Sequence, residues 1–231
     1  MDPRYLARRP AIEQFFTPEN HINEPPAMHR SPSGRYDLEI SKYHTKPKSW
    51  DYSRGVVKHI ESGAVIADIK RNYGVFLHSW VNHQNGFEYL LCGEDYQGYS
   101  VINLVTGVHH RYFPEQAYAG GGFCWAAVSP SPDGLVLAVE GCVWACPYDL
   151  VVYDFANPEQ LPLPELARIE NIANCSGWKD NSTFIYERSF DVRASDGTPF
   201  EQLSEEEVDR LYKIPNGFSC KKTAGEWRRT E

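Results

Sequence analysis

The 231-residue sequence lacks several features that would assign it to a well-known class of protein. No apolar run approaches the ~18 residues of a membrane-spanning helix, which excludes an integral protein of that kind. The first 20 residues contain no apolar core of a secretory signal, so we expect a cytoplasmic protein with no membrane partner. The common nucleophile, phosphate-binding, zinc-protease and dinucleotide-binding motifs are also absent. The sequence therefore identifies no catalytic residue, and we expect no cofactor.

Basic residues are scarce in the middle of the chain. Residues 86–170 contain only Arg111 and Arg168 against 11 acidic residues, a net charge of −9, whereas the whole chain carries −8. Nucleic-acid binding requires a cationic surface that neutralises phosphates, so we expect no nucleic-acid partner. An acidic surface favours a basic protein partner, or it only keeps the protein in solution.

The six cysteines do not form the pattern of a disulfide scaffold or of a zinc site. Three lie in apolar, strand-like surroundings and are predicted to be buried free thiols: Cys92, Cys124 and Cys175. Cys142 and Cys146 lie in a predicted loop, where they could close a small disulfide or, with His109 or His110, bind zinc. No second spaced pair accompanies them, so no metal site is predicted.

A turn followed by a β-rich strand recurs about every 50 residues. Its copies are residues 31–40, 82–91, 129–139 and, more weakly, 178–187. A second turn recurs in step with the first, at residues 57–63, 101–107, 151–158 and 192–197. We therefore predict that Gly34, Gly86 and Gly134 occupy equivalent turns, each leading into the same strand of its unit.

Units of this length with four strands are typical of β-propeller blades. Residues 129–139, followed by 150–155, resemble a blade of the WD40 family or a related propeller. In such a blade a Ser-Pro-Asp-Gly turn precedes the second strand, and an aspartate, here Asp154, ends the third. The family's Gly-His and Trp-Asp dipeptides are missing in register.

The resemblance covers about residues 29–200 and implies an all-β, propeller-like fold of about four four-stranded units. A closed four-bladed ring, an incomplete propeller and a twisted multi-sheet domain all fit it. A β-sandwich with evenly spaced turns is the alternative outside the resemblance.

The repeats also predict the domain organisation. Residues 1–28 form an N-terminal arm or short helix, and residues 29–231 form one β domain. The predicted repeats are residues 29–72, 73–118, 119–169 and 170–203. A capping box at Ser204 and Glu207 predicts a short helix to about Tyr212 within a C-terminal segment of residues 204–231.

The candidate binding residues come from the loops between the second and third strands of successive units. In a propeller-like arrangement these loops emerge on one side, and exposed tyrosines and tryptophans are typical of binding hot spots. The candidates share an aromatic or acidic side chain in or beside these loops: Trp50, Tyr52, Glu94, Asp95, Tyr96, Tyr99, Trp144, Tyr148 and Asp149. The alternative is that the rings fold back over unpaired strand edges.

These observations favour a non-enzymatic binding or scaffold module that meets a protein through an aromatic and acidic face, which would suit a basic partner. One alternative is a propeller-type hydrolase or lyase in which Glu94, Asp95 or Glu140, with His44, acts as acid or base. A further alternative is an acidic inhibitor or immunity-type protein that neutralises a basic partner.

Overall fold

The computed structural model describes residues 2–143 and 147–230 and is almost entirely β-structure. Fifteen strands form four antiparallel sheets that follow one another along the chain. Sheet 1 contains β1 (Ala27–Arg30), β2 (Tyr36–His44), β3 (Asp51–His59) and β4 (Val65–Arg71). Sheet 2 contains β5 (His78–Asn82), β6 (Glu88–Gly93), β7 (Tyr99–Asn103) and β8 (His109–Tyr112). Sheet 3 contains β9 (Cys124–Pro130), β10 (Val136–Cys142), β11 (Asp149–Asp154) and β12 (Glu165–Ile169). Sheet 4 contains β13 (Ile172–Trp178), β14 (Thr183–Arg193) and β15 (Phe218–Arg228).

Strands that are consecutive in the chain are neighbours in each sheet, so every sheet is an up-and-down meander. This connectivity is that of a propeller blade, and the prediction of an all-β, propeller-like fold with about four units is confirmed. The fourth sheet differs by having three strands. Residues 183–193 run as one uninterrupted strand where a separate second and third strand were expected.

The recurring turns are equivalent, as predicted. Gly34, Gly86 and Gly134 have φ angles of 72°, 86° and 71°, and each lies two residues before the second strand of its sheet. In each turn the glycine N–H donates to the carbonyl three residues earlier, at 2.8–2.9 Å. Glycine suits this position because a side chain disfavours positive φ.

The central sheets bury both faces, which explains their nearly continuous apolar runs. On β6, Tyr89 and Leu91 face a buried cluster shared with sheet 3, whereas Leu90 and Cys92 face one shared with sheet 1. A third cluster joins sheets 3 and 4. Among the described residues no buried apolar cluster joins sheet 4 to sheet 1, so the sheets stack as an open arc.

Short helices lie near both ends, as predicted. Helix α1 (Pro3–Glu13) is capped by the Asp2 side chain, which accepts from the Arg4 N–H. Helix α2 (Glu205–Tyr212) has the predicted capping box of Ser204 and Glu207 and lies between β14 and β15.

Candidate functional site

Two of the predicted loops meet at one end of the sheet stack. Trp50 ends the loop between β2 and β3, and Tyr96 lies in the loop between β6 and β7. Tyr73, in the connection from β4 to β5, joins them: its ring centroid is 5.8 Å from that of Trp50 and 5.1 Å from that of Tyr96. We call loops 45–50 and 94–98, with connection 72–77, the loop face.

Trp50 is the most prominent side chain of the loop face, with 52% of its surface exposed. Its indole N–H donates to the Asn72 carbonyl at 3.2 Å, which fixes the ring while leaving it in solvent. Beside it lies a groove of about 270 Å³, lined by Tyr73, Gly74 and Val75. Val75 is 63% exposed, so the groove offers an apolar surface to a partner.

Arg71 supports the loop face from beneath. Its buried guanidinium donates to the carbonyls of Asp95, at 2.9 Å, and Val75, and lies over the Tyr73 ring at 5.2 Å. Gly93 permits this approach, because a Cβ there would lie 2.2 Å from an Arg71 nitrogen. The Arg71 side chain therefore links loop 94–98 to connection 72–77, mainly through backbone oxygens.

The charge at the loop face differs from the prediction. Lys42, Lys46 and Lys48 are all exposed along the segment that leads to Trp50, with Asp51 beside them. The exposed charge around the tryptophan is thus mainly basic.

Glu94 is buried beneath α1, and its expected exposure is wrong. Its Oε1 accepts from the Tyr5 hydroxyl at 2.7 Å and lies 3.2 Å from the Arg9 guanidinium and 3.6 Å from that of Arg111. Its Oε2 accepts from the Ser100 hydroxyl. Only 1% of the residue is exposed, so its charge is neutralised within the chain.

Asp95 is also buried, although it was expected at the surface. Its Oδ1 accepts from the Tyr96 N–H at 2.7 Å. Burial raises the pKa of the Asp95 carboxyl above its usual value. Asp95 therefore presents no exposed carboxylate at the loop face.

Two predicted aromatics belong to the core because they begin strands rather than end loops. Tyr52, on β3, packs under Phe15 and Phe16, which follow α1. Tyr99, on β7, stacks on Trp125 at a centroid distance of 4.3 Å between sheets 2 and 3. The expectation that these two rings reach solvent is wrong.

The third predicted loop is only partly described. Trp144 and Cys146 lie outside the described residues. Tyr148 is 45% exposed, and the carboxylate of Asp149 is paired with Arg168 at 3.4 Å.

The cysteines reveal a pair that the sequence did not suggest. Cys92 is a buried free thiol, as predicted, and Cys124 is also buried, whereas Cys175 is free but only half-buried. Cys124, on β9, lies directly opposite Cys142, on β10. Strand pairing thus places Cys142 next to a cysteine 18 residues earlier in the chain. The short spacing between Cys142 and Cys146 had directed attention to the wrong pair.

A cavity between sheets 2 and 3 was also missed. It measures about 310 Å³ and is lined by rings and by a glycine segment: Tyr99, Tyr112, Phe123, Trp125, Tyr153, Gly121 and Gly122. Arg168 closes one side, with its guanidinium 4.9 Å from the Phe123 ring centroid and 3.0 Å from Glu165. Such walls suit an apolar or aromatic group. The sequence signal that marks this cavity is the triple glycine at residues 120–122, which supplies two of the lining residues.

Metal ligands do not assemble in the part of the chain that is described. Within residues 2–143 and 147–230, no group of three His, Cys, Asp or Glu side chains could hold an ion. His109 and His110 are adjacent on β8 and have different partners, Arg111 at 3.2 Å and Glu159 at 3.4 Å. Neither described helix combines the length and apolar character that a membrane crossing requires.

Comparison with known proteins gives one clear sequence relative. No protein-family model matches the chain. An uncharacterized protein of Acanthamoeba polyphaga mimivirus, R762, is 39% identical over 149 residues, which cover 64% of this chain and 58% of the viral protein. The chain therefore spans less than two thirds of that relative's length.

Solved structures show weaker similarity. A protein of unknown function from Desulfotomaculum acetoxidans has a TM-score of 0.46 and 13% identity, covering 74% of this chain and 53% of that one. TolB from Acinetobacter baumannii has a TM-score of 0.40 and 12% identity, covering 72% and 38%. At this level of similarity neither structure bears on what this chain binds or does.

Proposed function

We propose that the chain is a non-enzymatic protein-binding module that meets its partner at the loop face. The observation that carries this proposal is Trp50, whose ring is exposed although its indole nitrogen is hydrogen bonded and its face packs near Tyr73. An aromatic ring that is already ordered loses little conformational entropy on binding. Tryptophan and tyrosine are also enriched among residues that dominate binding energy.

The charge of the loop face indicates what the partner carries. The groove between Trp50 and Val75 accepts an apolar side chain, and the exposed lysines beside it attract acidic residues that flank that side chain. The expectation of a basic partner depended on the acidic middle of the chain, residues 86–170, but the two of its acids nearest the loop face, Glu94 and Asp95, are buried. We therefore propose an acidic segment with one apolar anchor.

The hydrolase or lyase alternative has weaker support. Glu94 has partners on both carboxylate oxygens. Glu140, on sheet 3, interacts with Cys175, whose thiol pKa is raised by burial and by this carboxylate, whereas His44 lies on sheet 1, 4.0 Å from Asp51. These candidate acids and bases contact different neighbours and do not come together in one cleft.

The test is affinity capture from native cell extract, read by mass spectrometry, with Trp50→Ala as the test variant and Tyr148→Ala as the control. Both side chains are about half exposed, but only Trp50 belongs to the loop face. We expect the wild type and the Tyr148→Ala control to capture the same protein, and we expect Trp50→Ala not to capture it. In titrations with that protein, Trp50→Ala should weaken binding by about 2 kcal/mol, or ~30-fold.

Melting curves complete the test. Trp50→Ala should shift the melting temperature little, because the ring is mostly in solvent. A fall of several degrees with unchanged binding would show that the ring covers a strand edge instead. Equal capture by all three proteins would also overturn the proposal.

A further inference from the structure

The cavity between sheets 2 and 3 is large enough to hold a small molecule. Its volume of about 310 Å³ is roughly twice the ~150 Å³ of an engineered protein cavity that binds benzene, so two fused rings would fit. Three of the rings in its wall are almost completely buried: Tyr99 is 4% exposed, Trp125 6% and Tyr153 8%. The cavity therefore extends between the packed sheets.

The walls of the cavity favour a flat aromatic ligand. The rings in the wall are those of Tyr99, Tyr112, Phe123, Trp125 and Tyr153. Gly121 and Gly122 add no side chains, so they take up no space beside these rings. Aromatic rings attract one another in offset and edge-to-face arrangements, in addition to the effect of the apolar area that they bury. A ligand made of aromatic rings therefore gains more from these walls than an aliphatic one of the same size.

Two tyrosine hydroxyls of the wall can donate hydrogen bonds to a ligand. The Tyr99 hydroxyl accepts from the Leu163 N–H at 2.7 Å, which leaves its own hydrogen for an acceptor. The Tyr112 hydroxyl has no hydrogen-bond partner within residues 2–143 and 147–230. Burial raises the pKa of both hydroxyls, so they stay protonated and act as donors at neutral pH. The ligand should therefore carry an acceptor atom on the rim of its rings.

The charged residues of the cavity indicate that the ligand is neutral. The Arg168 guanidinium donates to both carboxylate oxygens of Glu165, at 3.1 and 3.0 Å, and to the carboxylate of Asp149 at 3.4 Å. The described residues of the wall thus keep no unpaired charge that would bind an ion. An anion would meet the carboxylate of Glu165. A cation would meet Arg168, whose guanidinium already lies 4.9 Å from the Phe123 ring centroid.

We propose that the cavity between sheets 2 and 3 binds a neutral aromatic molecule of two fused rings that carries a hydrogen-bond acceptor on its rim. The rings of the wall pack around it, and the hydroxyls of Tyr99 and Tyr112 donate to its acceptor. The site is separate from the loop face, with which it shares only Gly98.

The test uses the full chain and quinoline, which has two fused rings and one ring nitrogen that accepts a hydrogen bond. N-Methylquinolinium is the matched control, because its methyl group blocks the same nitrogen and adds a positive charge to nearly the same shape. Isothermal titration calorimetry at neutral pH compares the two affinities. We expect quinoline to bind at least about tenfold more tightly, since the control loses the hydrogen bond and brings a like charge to Arg168.

Nuclear magnetic resonance locates the bound quinoline. Each tryptophan gives one indole N–H signal, and Trp125 lies in the wall of the cavity, whereas Trp50 lies on the loop face. The variants Trp50→Phe and Trp125→Phe identify the two signals. We expect quinoline to shift the Trp125 signal and to leave the Trp50 signal unchanged.

Two tyrosine variants test the hydrogen bond to the ligand. Tyr112→Phe removes the hydroxyl and keeps the ring, so we expect quinoline to bind about fivefold more weakly. Tyr118→Phe is the control, because its hydroxyl is buried outside the cavity, and it should bind quinoline as the wild type does. Neither hydroxyl has a hydrogen-bond partner among the described residues, so both variants should fold.

Four results would overturn the proposal. Quinoline does not bind, it shifts the Trp50 signal instead of the Trp125 signal, or Tyr112→Phe binds it as tightly as Tyr118→Phe does. The fourth is equal or tighter binding of N-methylquinolinium, because the cavity would then be an aromatic cage for cations. Trp50→Ala should leave quinoline binding unchanged, and Tyr112→Phe should still capture the partner of the loop face, so the two proposals are tested separately.

Discussion

Removing one hydroxyl group, with Tyr5→Phe, tests how firmly α1 is fixed over sheet 2. The hydroxyl donates to the buried Glu94 carboxylate at 2.7 Å and accepts from Arg9 at 3.0 Å. The ring stacks on Phe113 at 4.1 Å, a contact that phenylalanine keeps. Because a hydrogen bond to a charged group contributes about 1.5–3 kcal/mol, we expect the free energy of unfolding to fall by about 2 kcal/mol. For 231 residues this corresponds to a melting temperature lower by about 4–8 °C.

A double-mutant cycle with Glu94→Gln isolates the contact. In that background the lost bond is between neutral groups, so Tyr5→Phe should cost only about 1 kcal/mol, which leaves a coupling of about 1 kcal/mol. Urea denaturation gives the four stabilities, and amide hydrogen exchange in Pro3–Glu13 reports whether α1 opens more often. A coupling near zero with unchanged exchange in α1 would refute the buried contact. A positive result means that the hydrogen bond between Tyr5 and Glu94 holds α1 against sheet 2 in the folded chain.

Three further substitutions or treatments test the site and the turns. Asp95→Asn should raise the melting temperature at pH 7. Burial raises the Asp95 pKa above 3.8, so the wild-type folded state loses stability as the pH rises from 3.8 through the raised pKa. The gain in melting temperature should therefore shrink in melts recorded towards pH 3.8. Gly134→Ala should lower the free energy of unfolding more than Gly34→Ala does, as measured by urea denaturation. Both glycines have φ near 70°, but only a Cβ at residue 134 would lie 2.5 Å from backbone of the neighbouring sheet. We expect a loss of about 1 kcal/mol for Gly34→Ala and of more than about 2 kcal/mol for Gly134→Ala. Oxidation with diamide should join Cys124 to Cys142 in a disulfide. Residues directly opposite each other on paired strands have Cα atoms about 4.5–5.5 Å apart, which is within the range of a disulfide. Unreduced peptide maps with no such link would contradict the register.

The four-sheet architecture was predictable because its signal is local. Gly34, Gly86 and Gly134 mark turns whose hydrogen bonds span only three residues, so turn chemistry alone specifies them. The three-stranded sheet 4 was not predictable in the same way. Nothing in residues 183–193 breaks the β-pattern, and the next strand begins only after α2.

The candidate site was harder to predict because strand limits decide which side chains reach solvent. β3 begins at Asp51 and β7 begins at Tyr99, so Tyr52 and Tyr99 belong to strands with alternating faces rather than to loops. A shift of one or two residues in a predicted limit thus moves an aromatic ring from the surface to the core. Trp50, one residue before β3, remains exposed.

The burial of the acids depended on contacts that are remote in sequence. Tyr5 and Glu94 are 89 residues apart, and Arg71 reaches Asp95 from another sheet. No spacing rule connects such residues, because the docking of α1 and the stacking of two sheets bring them together. Local sequence therefore identified the loops but not which of their charges are solvated.

The difference between the net charge of the chain and the charge around Trp50 predicts an unusual salt dependence of ligand binding at the loop face. The chain has a net charge of −8, yet the exposed charged groups beside Trp50 are three lysines, Lys42, Lys46 and Lys48, and one acid, Asp51. Charges interact mainly within a Debye length, about 8 Å at physiological ionic strength, so an acidic ligand at the loop face responds to these lysines more than to the whole molecule. Its affinity should rise as salt is lowered, measured by titration with the captured partner or with the acidic segment derived from it. If the net charge controlled binding, affinity would fall as salt is lowered, because a negative protein would repel an acidic ligand over a longer range.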